Sequence, residues 1–132
     1  METKKLTCCD LMIGDWVMYD PNVFIEDEYE PYKEPYPCQI ESGVQIDDAV
    51  NECYSPIPLT VEILEKNGFK KHRDIFYRLA IHIDEFNGFM FTLGKDLDGV
   101  FCLQSNRFVR FTYVHELQHA LRLCGVDNEI VL

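Results

Sequence analysis

The stretch that decides the fold is residues 74–84, which read DIFYRLAIHID. Apolar side chains occupy every second position from Ile75 to Ile83, and the positions between them include Arg78 and His82. A period of two places successive side chains on opposite faces of a β-strand. The stretch therefore predicts a strand that buries one face and exposes the other.

The residues that follow extend this strand into an antiparallel meander. A three-residue loop that ends at a left-handed Gly88 would pair Ile83 with Phe91 and Ile81 with Leu93. We prefer this loop because it keeps each apolar row on one face, whereas a two-residue turn would place polar residues opposite apolar ones.

A second turn, at Asp98-Gly99, leads into a third strand with the sequence VFCLQS at residues 100–105. Residues 107–111 then form an edge strand or lead directly into the last helix. The sequence therefore predicts a meander of at least three strands.

Two helices flank the meander. Thr60 caps a short helix within SPIPLTVEILEKNGF, and Asn67-Gly68 ends it. The last helix begins after Thr112 and ends at Gly125. The apolar stripe of the last helix, which we expect to pack on the meander, consists of Val114, Leu117, Leu121 and Cys124.

The N-terminal part of the chain predicts further strands. Residues 11–19, LMIGDWVMY, enter a strand from a tight turn at Gly14 and resemble the opening strand of small SH3-like barrels. The segments CQIES and VQIDDAV predict two short strands that meet at Ser42-Gly43. The predicted fold class is α+β: one strand-rich domain, with an SH3-like strand region at residues 1–57, and the short helix, the meander and the C-terminal helix at residues 58–132.

Residues 20–37 form an acidic, proline-rich loop in this prediction. Pro31, Pro35 and Pro37 exclude a helix and a central strand there. The loop is either a solvated insertion or an interaction site that docks on a basic protein with little ordering cost. In the second interpretation the contact residues are Tyr29, Tyr32, Tyr36, Glu26, Asp27 and Glu28.

The charge of the chain is strongly acidic. The sequence has 23 Asp and Glu residues against 12 Lys and Arg residues, for a formal net charge of -11. Such a surface repels phosphate backbones and anionic lipid heads, so direct nucleic-acid or membrane binding is disfavoured. The acidity suits a basic protein partner, or a mimic of DNA that occupies a DNA-binding protein.

The six cysteines, at positions 8, 9, 38, 53, 102 and 124, contain no C-x-x-C pair, which disfavours a zinc ribbon. The first 20 residues have no apolar stretch adequate for a signal peptide, and no run reaches transmembrane length. We therefore expect a cytoplasmic protein with reduced thiols, in which Cys102 and Cys124 are small core residues. Cys8 and Cys9 are adjacent, and they have no predicted role.

One short motif points to a metal. Residues 115–119 read HELQH, which places His115 and His119 on one face of a helix, where both imidazoles reach one zinc ion. Glu116 would then take a proton from the metal-bound water. The motif defines an alternative function, a zinc-dependent hydrolase.

Other features of the helix disfavour zinc. A catalytic zinc takes three protein ligands, and no histidine follows His119 in the chain. Arg122 lies one turn away on nearly the same face, where its cation opposes a dication. The preferred prediction is a helix without metal, whose polar side faces solvent and consists of His115, Glu116, Gln118, His119 and Arg122.

The chain also resembles a known family in three segments, which are GDWVMY at residues 14–19, PIPLTVEILEKNGF at residues 56–69 and YVHELQHALRLCG at residues 113–125. The family consists of small uncharacterised proteins from gut Bacteroidetes and their phages or mobile elements. The resemblance implies SH3-like N-terminal strands, a short helix, a meander and a C-terminal helix, and it supplies no activity. Other members have VHQLQN in the last helix, so the resemblance implies no zinc site here.

Together these observations predict a non-enzymatic protein, which binds a protein partner or acts as an accessory protein of a mobile element. The zinc-dependent hydrolase and the acidic DNA mimic are the two alternatives. The preferred prediction requires no cofactor, and the first alternative requires zinc.

Overall fold

The computed structural model describes residues 6, 10–24, 31–43, 45, 53–82, 84–126 and 130–132. These residues form two sheets and two α-helices, so the predicted strand-rich α+β class is confirmed. A 3-10 helix at Pro21–Phe24 and a turn of helix that includes Gly43 and Gln45 add to these elements, and the first of them lies within the segment predicted as a loop at residues 20–37. The chain divides into two compact units. Unit 1 comprises Met1–Ile57 with Tyr113–His115, and unit 2 comprises Pro58–Thr112 with Glu116–Leu132.

Unit 1 contains a three-stranded antiparallel sheet. Strand β1 (Trp16–Tyr19) lies in the centre, between β2 (Tyr36–Gln39) and β3 (Tyr54–Pro56). Val17 is fully buried in the middle of β1, whereas Trp16 is only half-buried. Val17, and not the larger Trp16, is therefore the apolar side chain that anchors this strand in the core.

The first strand is shorter than predicted because a turn precedes it. Gly14 has a φ of 92°, and the backbone N–H of Met12 donates to the carboxylate of Asp15 at 2.8 Å. Asp15 is itself fully buried. The turn takes up the residues before Trp16, so the predicted strand at residues 11–19 is confirmed only at its C-terminal end.

The predicted hairpin at Ser42-Gly43 is wrong. Gly43 and Gln45 are helical, and the side-chain oxygen of Gln45 accepts from the backbone N–H groups of Glu41 and Ser42. These local bonds stabilise a turn of helix where a strand was expected. Residue 44 and residues 46–50, the rest of that predicted strand, lie outside the described residues. The SH3-like arrangement of unit 1 stays a prediction.

Unit 2 contains a five-stranded antiparallel sheet in chain order. Its strands are β4 (Lys70–His72), β5 (Phe76–His82), β6 (Gly88–Lys95), β7 (Phe101–Leu103) and β8 (Asn106–Phe111). The predicted meander is confirmed, and residues 107–111 belong to an edge strand. The short strand β4 was not predicted.

The predicted register of β5 with β6 is wrong by four residues, since Ile81 was expected opposite Leu93. Ile81 lies opposite Phe89, and Leu79 lies opposite Phe91. The loop is longer than expected because Asp84 organises it: one carboxylate oxygen accepts from the backbone N–H groups of Phe86 and Asn87 at 2.9 and 2.8 Å. An even shift leaves every side chain on its predicted face.

The inner face of this sheet forms the core of unit 2. Its buried members are Tyr77, Ile81, Phe91, Leu93, Phe101 and Phe111. The rings of Tyr77 and Phe101 meet edge to face, with their centroids 5.8 Å apart. The alternation at residues 74–84 therefore did identify the buried side of the strand.

The two helices have the predicted ends. In α1 (Val61–Lys66) the hydroxyl of Thr60 accepts from the backbone N–H of Ile63 at 3.3 Å, and Gly68 follows with a φ of 90°. The helix buries Leu64 completely. Neither this helix nor the last one, of ten residues, is long and apolar enough to cross a membrane, and the described part of the chain has no other helix that is.

The last helix, α2 (Val114–Leu123), ends before Gly125, which has a φ of 79°. Val114, Leu117 and Leu121 are buried, as the predicted stripe requires. The prediction for Cys124 is wrong, because that residue follows the end of the helix and is exposed. The other predicted core cysteine, Cys102, is buried.

Candidate interaction site

The acidic loop of unit 1 has a closed base. The side-chain amide of Asn22 donates to the backbone carbonyl of Lys33 at 2.6 Å, and its oxygen accepts from the backbone N–H of Lys33 at 2.9 Å. The two residues are 11 positions apart, so this reciprocal pair holds the ends of the loop together.

Asp20 fixes the orientation of Asn22. One carboxylate oxygen of Asp20 accepts from both the backbone N–H and the side-chain amide of Asn22, at 2.9 and 2.8 Å. The backbone N–H of Asp20 donates to the carbonyl of Cys53 at 2.7 Å. The base of the loop is therefore attached to the segment that leads into β3.

Three tyrosines form a row across the sheet beside this base. Tyr19 on β1 lies directly opposite Tyr36 on β2 and Tyr54 on β3. The ring centroid of Tyr19 is 5.5 Å from that of Tyr36 and 5.6 Å from that of Tyr54. Cross-strand aromatic pairs of this kind stabilise a sheet and hold the rings in place.

Two of the predicted contact tyrosines are exposed. The side chain of Tyr36 is 51% exposed and that of Tyr32, next to the loop base, is 70% exposed. Tyr36 lies on β2, an edge strand of the sheet, where Pro37 is tolerated because one side of the strand has no ladder to join. The remaining predicted contact residues, Tyr29, Glu26, Asp27 and Glu28, lie outside the described residues.

Residue-type reasoning missed two members of this site. Asn22 was not singled out, although Asp20-Pro21-Asn22 is a turn signal in which side chains bind nearby backbone groups. Tyr19 was not singled out either, because only the pairing of the strands places it between Tyr36 and Tyr54. The local sequence therefore indicated a role for Asn22, but it gave no indication of one for Tyr19.

The acidity of the chain is concentrated in unit 1. That unit contains 13 Asp and Glu residues against 3 Lys and Arg residues, whereas unit 2 contains 10 against 9. The formal charge of the two units is therefore about -10 and -1. The field that attracts a basic partner belongs almost entirely to the unit with the loop.

Cys38 lies on β2, two residues beyond Tyr36. Burial raises the pKa of its thiol, and the neighbouring Cys53 and Glu41 raise it further. The thiol is therefore protonated at neutral pH and is a poor nucleophile. Cys38, Cys53, Cys102 and Cys124 are all free thiols.

The last helix does not expose the polar side that was predicted. His115 and Gln118 are only 2% and 3% exposed, so the prediction that they face solvent is wrong. The ring of His115 stacks on that of Tyr113, with the centroids 6.0 Å apart and the planes 8° from parallel. Glu116, His119 and Arg122, the other members of that side, are half-buried.

Glu116 has a structural contact at the start of this helix. Its carboxylate accepts from the backbone N–H of Thr112 at 3.1 Å, as a glutamate in the first turn of a helix commonly does. Among the described residues, no three His, Cys, Asp or Glu side chains are grouped to hold a metal ion. The two acidic residues that follow the last helix in the chain, Asp127 and Glu129, lie outside these residues. The zinc hypothesis therefore stays a prediction.

No family model, curated protein or solved structure matches this chain. The candidate site is therefore defined by its own geometry: a loop closed by Asn22 and Lys33, the exposed tyrosines Tyr32 and Tyr36, and the acidic charge of unit 1.

Proposed function

We propose that this protein is a non-enzymatic interaction protein, which binds a basic protein partner through the acidic loop and the tyrosines of unit 1. The reciprocal pairing of Asn22 with Lys33 supports this proposal most directly, because it gives a long, charged loop a defined base. We also propose a cytoplasmic, accessory role in a bacterial host or its mobile element, and an SH3-like arrangement of the strands in unit 1.

The exposed tyrosines supply the contact area in this proposal. Tyrosine is enriched in binding interfaces because it offers a large, amphipathic surface with only two side-chain torsions to order. Tyr36 loses little freedom on binding, since its ring already lies against Tyr19. Tyr32 adjoins Lys33, the residue that closes the loop, so its backbone is also positioned in advance.

The acidic charge of unit 1 makes binding selective for basic partners. Complementary charges speed up the encounter of two proteins and disfavour partners of the same sign. Unit 1, with 13 acidic and 3 basic residues, selects for a partner with a cluster of Lys and Arg. The second alternative, a DNA mimic, also requires rows of carboxylates, but 8 of those 13 acidic residues lie outside the described residues.

The proposal can be tested by affinity capture from the native host with quantitative mass spectrometry. The double variant Tyr32→Ala/Tyr36→Ala should lose a specific basic protein that the wild-type chain retains at moderate salt. Phe86→Ala is the control, because it removes an even more exposed ring from a turn in unit 2.

The captured partner must then bind the purified chain directly. We expect the affinity to fall at least tenfold in the tyrosine variant and to fall as the salt concentration rises. If the same proteins are captured with the same affinity by both variants, the tyrosines do not form the contact and the proposal is wrong.

A further inference from the structure

The outer face of the sheet in unit 2 carries a second surface of different chemistry. The register of the five strands places one row of residues side by side across it. In chain order along the row these are His72, Phe76, Gly94, Cys102 and Arg110. Lys70, Arg78 and Thr92 form the adjacent row on the same face. None of these eight residues is acidic, in a chain where acids outnumber bases almost two to one.

The two rows have the profile of a trough. The middle strands contribute only small side chains, Thr92, Gly94 and Cys102, and all three are buried beneath their neighbours. Long cationic side chains stand on both sides, Arg78 on β5 and Arg110 on β8. Three strand spacings separate β5 from β8, so the trough is about 14 Å wide.

A cleft of about 630 Å³ lies directly on the first row. Its lining includes the whole segment of the row from Phe76 to Arg110, together with Arg107, Gln104 and the acidic residues Asp96 and Asp98 of the turn after β6. Lys95 also borders the cleft, but its ammonium group lies over the ring of Phe101. Pockets of this volume accommodate a group of the size of one nucleotide.

Arg110 is held in position at the edge of this cleft. Its guanidinium Nη2 lies 3.2 Å from a carboxylate oxygen of Asp96. The other carboxylate oxygen of Asp96 accepts from the backbone N–H groups of Asp98 and Val100, each at 2.9 Å. A turn therefore fixes the carboxylate, and the carboxylate orients the guanidinium, whose remaining N–H groups are available to an anion.

Aromatic rings accompany the cations. Phe76 lies across Gly94 and is half-buried, and Phe108, next to Arg107, is 97% exposed. Arg78, two residues beyond Phe76, forms no ion pair with any described residue, and its Nε has no hydrogen-bond partner among them. Cations along a trough with rings inside and beside it are what proteins use to bind unpaired nucleotides.

We propose that this surface, which we call the basic face (Lys70, Phe76, Arg78, Phe108 and Arg110), binds single-stranded nucleic acid. The phosphates contact the cations on both sides of the trough, and bases stack on Phe76 and Phe108. Charge complementarity identifies the occupant as a polyanion, and the rings identify one with unpaired bases, because a duplex keeps its bases stacked on each other. The net charge of the whole chain disfavours nucleic acid, but unit 2 contributes only about -1 to it.

The test is the fluorescence anisotropy of a labelled 12-nucleotide oligo(dT) or oligo(U), titrated with the full chain at 50 mM salt. The matched pair is Lys70→Gln and Lys71→Gln. The two lysines are adjacent and exposed, but Lys71 lies opposite Tyr77 and therefore on the other face of the sheet. We expect Lys70→Gln to weaken binding several-fold and to lower the salt slope by about one, while Lys71→Gln changes neither.

A second matched pair tests stacking. Phe108→Ala should weaken binding about fivefold or more, and Phe86→Ala, at a similarly exposed ring in the turn after β5, should not. Both phenylalanines are at the surface, so an unchanged thermal transition will show that the fold is intact. The double variant Tyr32→Ala/Tyr36→Ala should bind the oligonucleotide normally, which separates this proposal from the one for unit 1.

Several results would overturn the proposal. These are no anisotropy change with either oligonucleotide at 100-micromolar protein, an equal loss in Lys70→Gln and Lys71→Gln, tighter binding of duplex than of single strand, or saturation by a mononucleotide alone. A concentration-dependent dimer that Lys70→Gln dissociates, without any oligonucleotide binding, would instead identify the acidic unit of a second copy as the occupant.

Discussion

The two units differ in charge and in the regularity of their strands. Among the described residues, unit 1 has three strands of three or four residues and unit 2 has five strands of up to eight. Unit 1 contains 13 acidic residues against 3 basic ones, while the charge of unit 2 is nearly balanced. The net charge of -11 therefore describes neither unit. Conclusions about partners must be drawn for each unit separately, because the field near a surface depends on the charges that surround it.

The units also differ in how their loops are held. In unit 2, Asp84 and Asp96 organise turns through hydrogen bonds to backbone groups no more than four residues away. In unit 1 the acidic loop depends on Asn22, which binds a residue 11 positions away. A local turn forms independently of the rest of the chain, whereas the loop of unit 1 is positioned only when its distant ends meet.

The largest expected effect concerns the core of unit 2. Leu93 is completely buried in β6, and Leu93→Ala should lower the free energy of unfolding by about 3 kcal/mol, measured by urea denaturation. Leu97→Ala, at a fully exposed leucine of the next turn, should change it by less than about 0.5 kcal/mol. If Leu93→Ala costs no more than Leu97→Ala, the inner face of the sheet does not form the core of unit 2.

A smaller effect is expected at the two kinds of loop. Asn22→Ala removes three side-chain hydrogen bonds, and we expect a loss of about 1–2 kcal/mol with faster hydrogen exchange at the amide of Lys33. Asn87→Ala removes one local side-chain hydrogen bond to Asp84 and should cost about 0.5 kcal/mol. Equal costs for the two variants would show that the distant pairing contributes no more than a local turn.

Salt should distinguish the units as well. Raising the salt concentration from 10 to 300 mM screens the repulsion among the acidic residues of unit 1. If about 1 kcal/mol of repulsion is screened, Tm rises by about 4 °C. Hydrogen exchange should slow mainly in unit 1, and slower exchange confined to unit 2 would contradict the charge comparison.

The smallest effect is the pH dependence of the turn after β5. Hydrogen bonds from the Asn87 side chain and from the backbone N–H groups of Phe86 and Asn87 lower the pKa of Asp84. A lowered pKa in the folded state means that the charged form stabilises the fold at neutral pH. This contribution is lost as the pH falls through the lowered pKa of Asp84.

NMR titration of the carboxyl group of Asp84 will measure its pKa directly. The variant Asp84→Asn should lose the corresponding acid-side decrease in stability, while a substitution of the exposed Asp98 leaves it unchanged. A pKa of Asp84 at or above its ordinary value would show that the turn does not hold the carboxylate.

Local chemistry explains which parts of the fold were predictable. The ends of the helices depend on the backbone conformation at single positions. Thr60 caps the start of α1, and glycines with positive φ follow the two helices at positions 68 and 125. The residue type alone therefore identifies these helix ends. The period of two in β5 likewise depends only on neighbouring residues. The register of β5 with β6 was not predictable from alternation, since a shift of two residues preserves the same apolar faces.

The candidate site was predictable in composition but not in arrangement. The acidic loop and its exposed tyrosines, Tyr32 and Tyr36, are evident from the residue types. The row of Tyr36, Tyr19 and Tyr54 required the pairing of three strands that are far apart in the chain. The burial of His115 was missed because a helical wheel defines one apolar side, and it cannot show whether other sides are also covered.

The sequence by itself determined the two α-helices and the alternating strand β5, because helix caps and apolar periods act over a few residues. It also determined the total charge. Only the tertiary structure decided how that charge is divided between two units, which side chains share the basic face, and which loop has a closed base. Those features depend on residues such as Asn22 and Lys33 or Phe76 and Gly94, which are distant in the chain and become neighbours only when the chain folds.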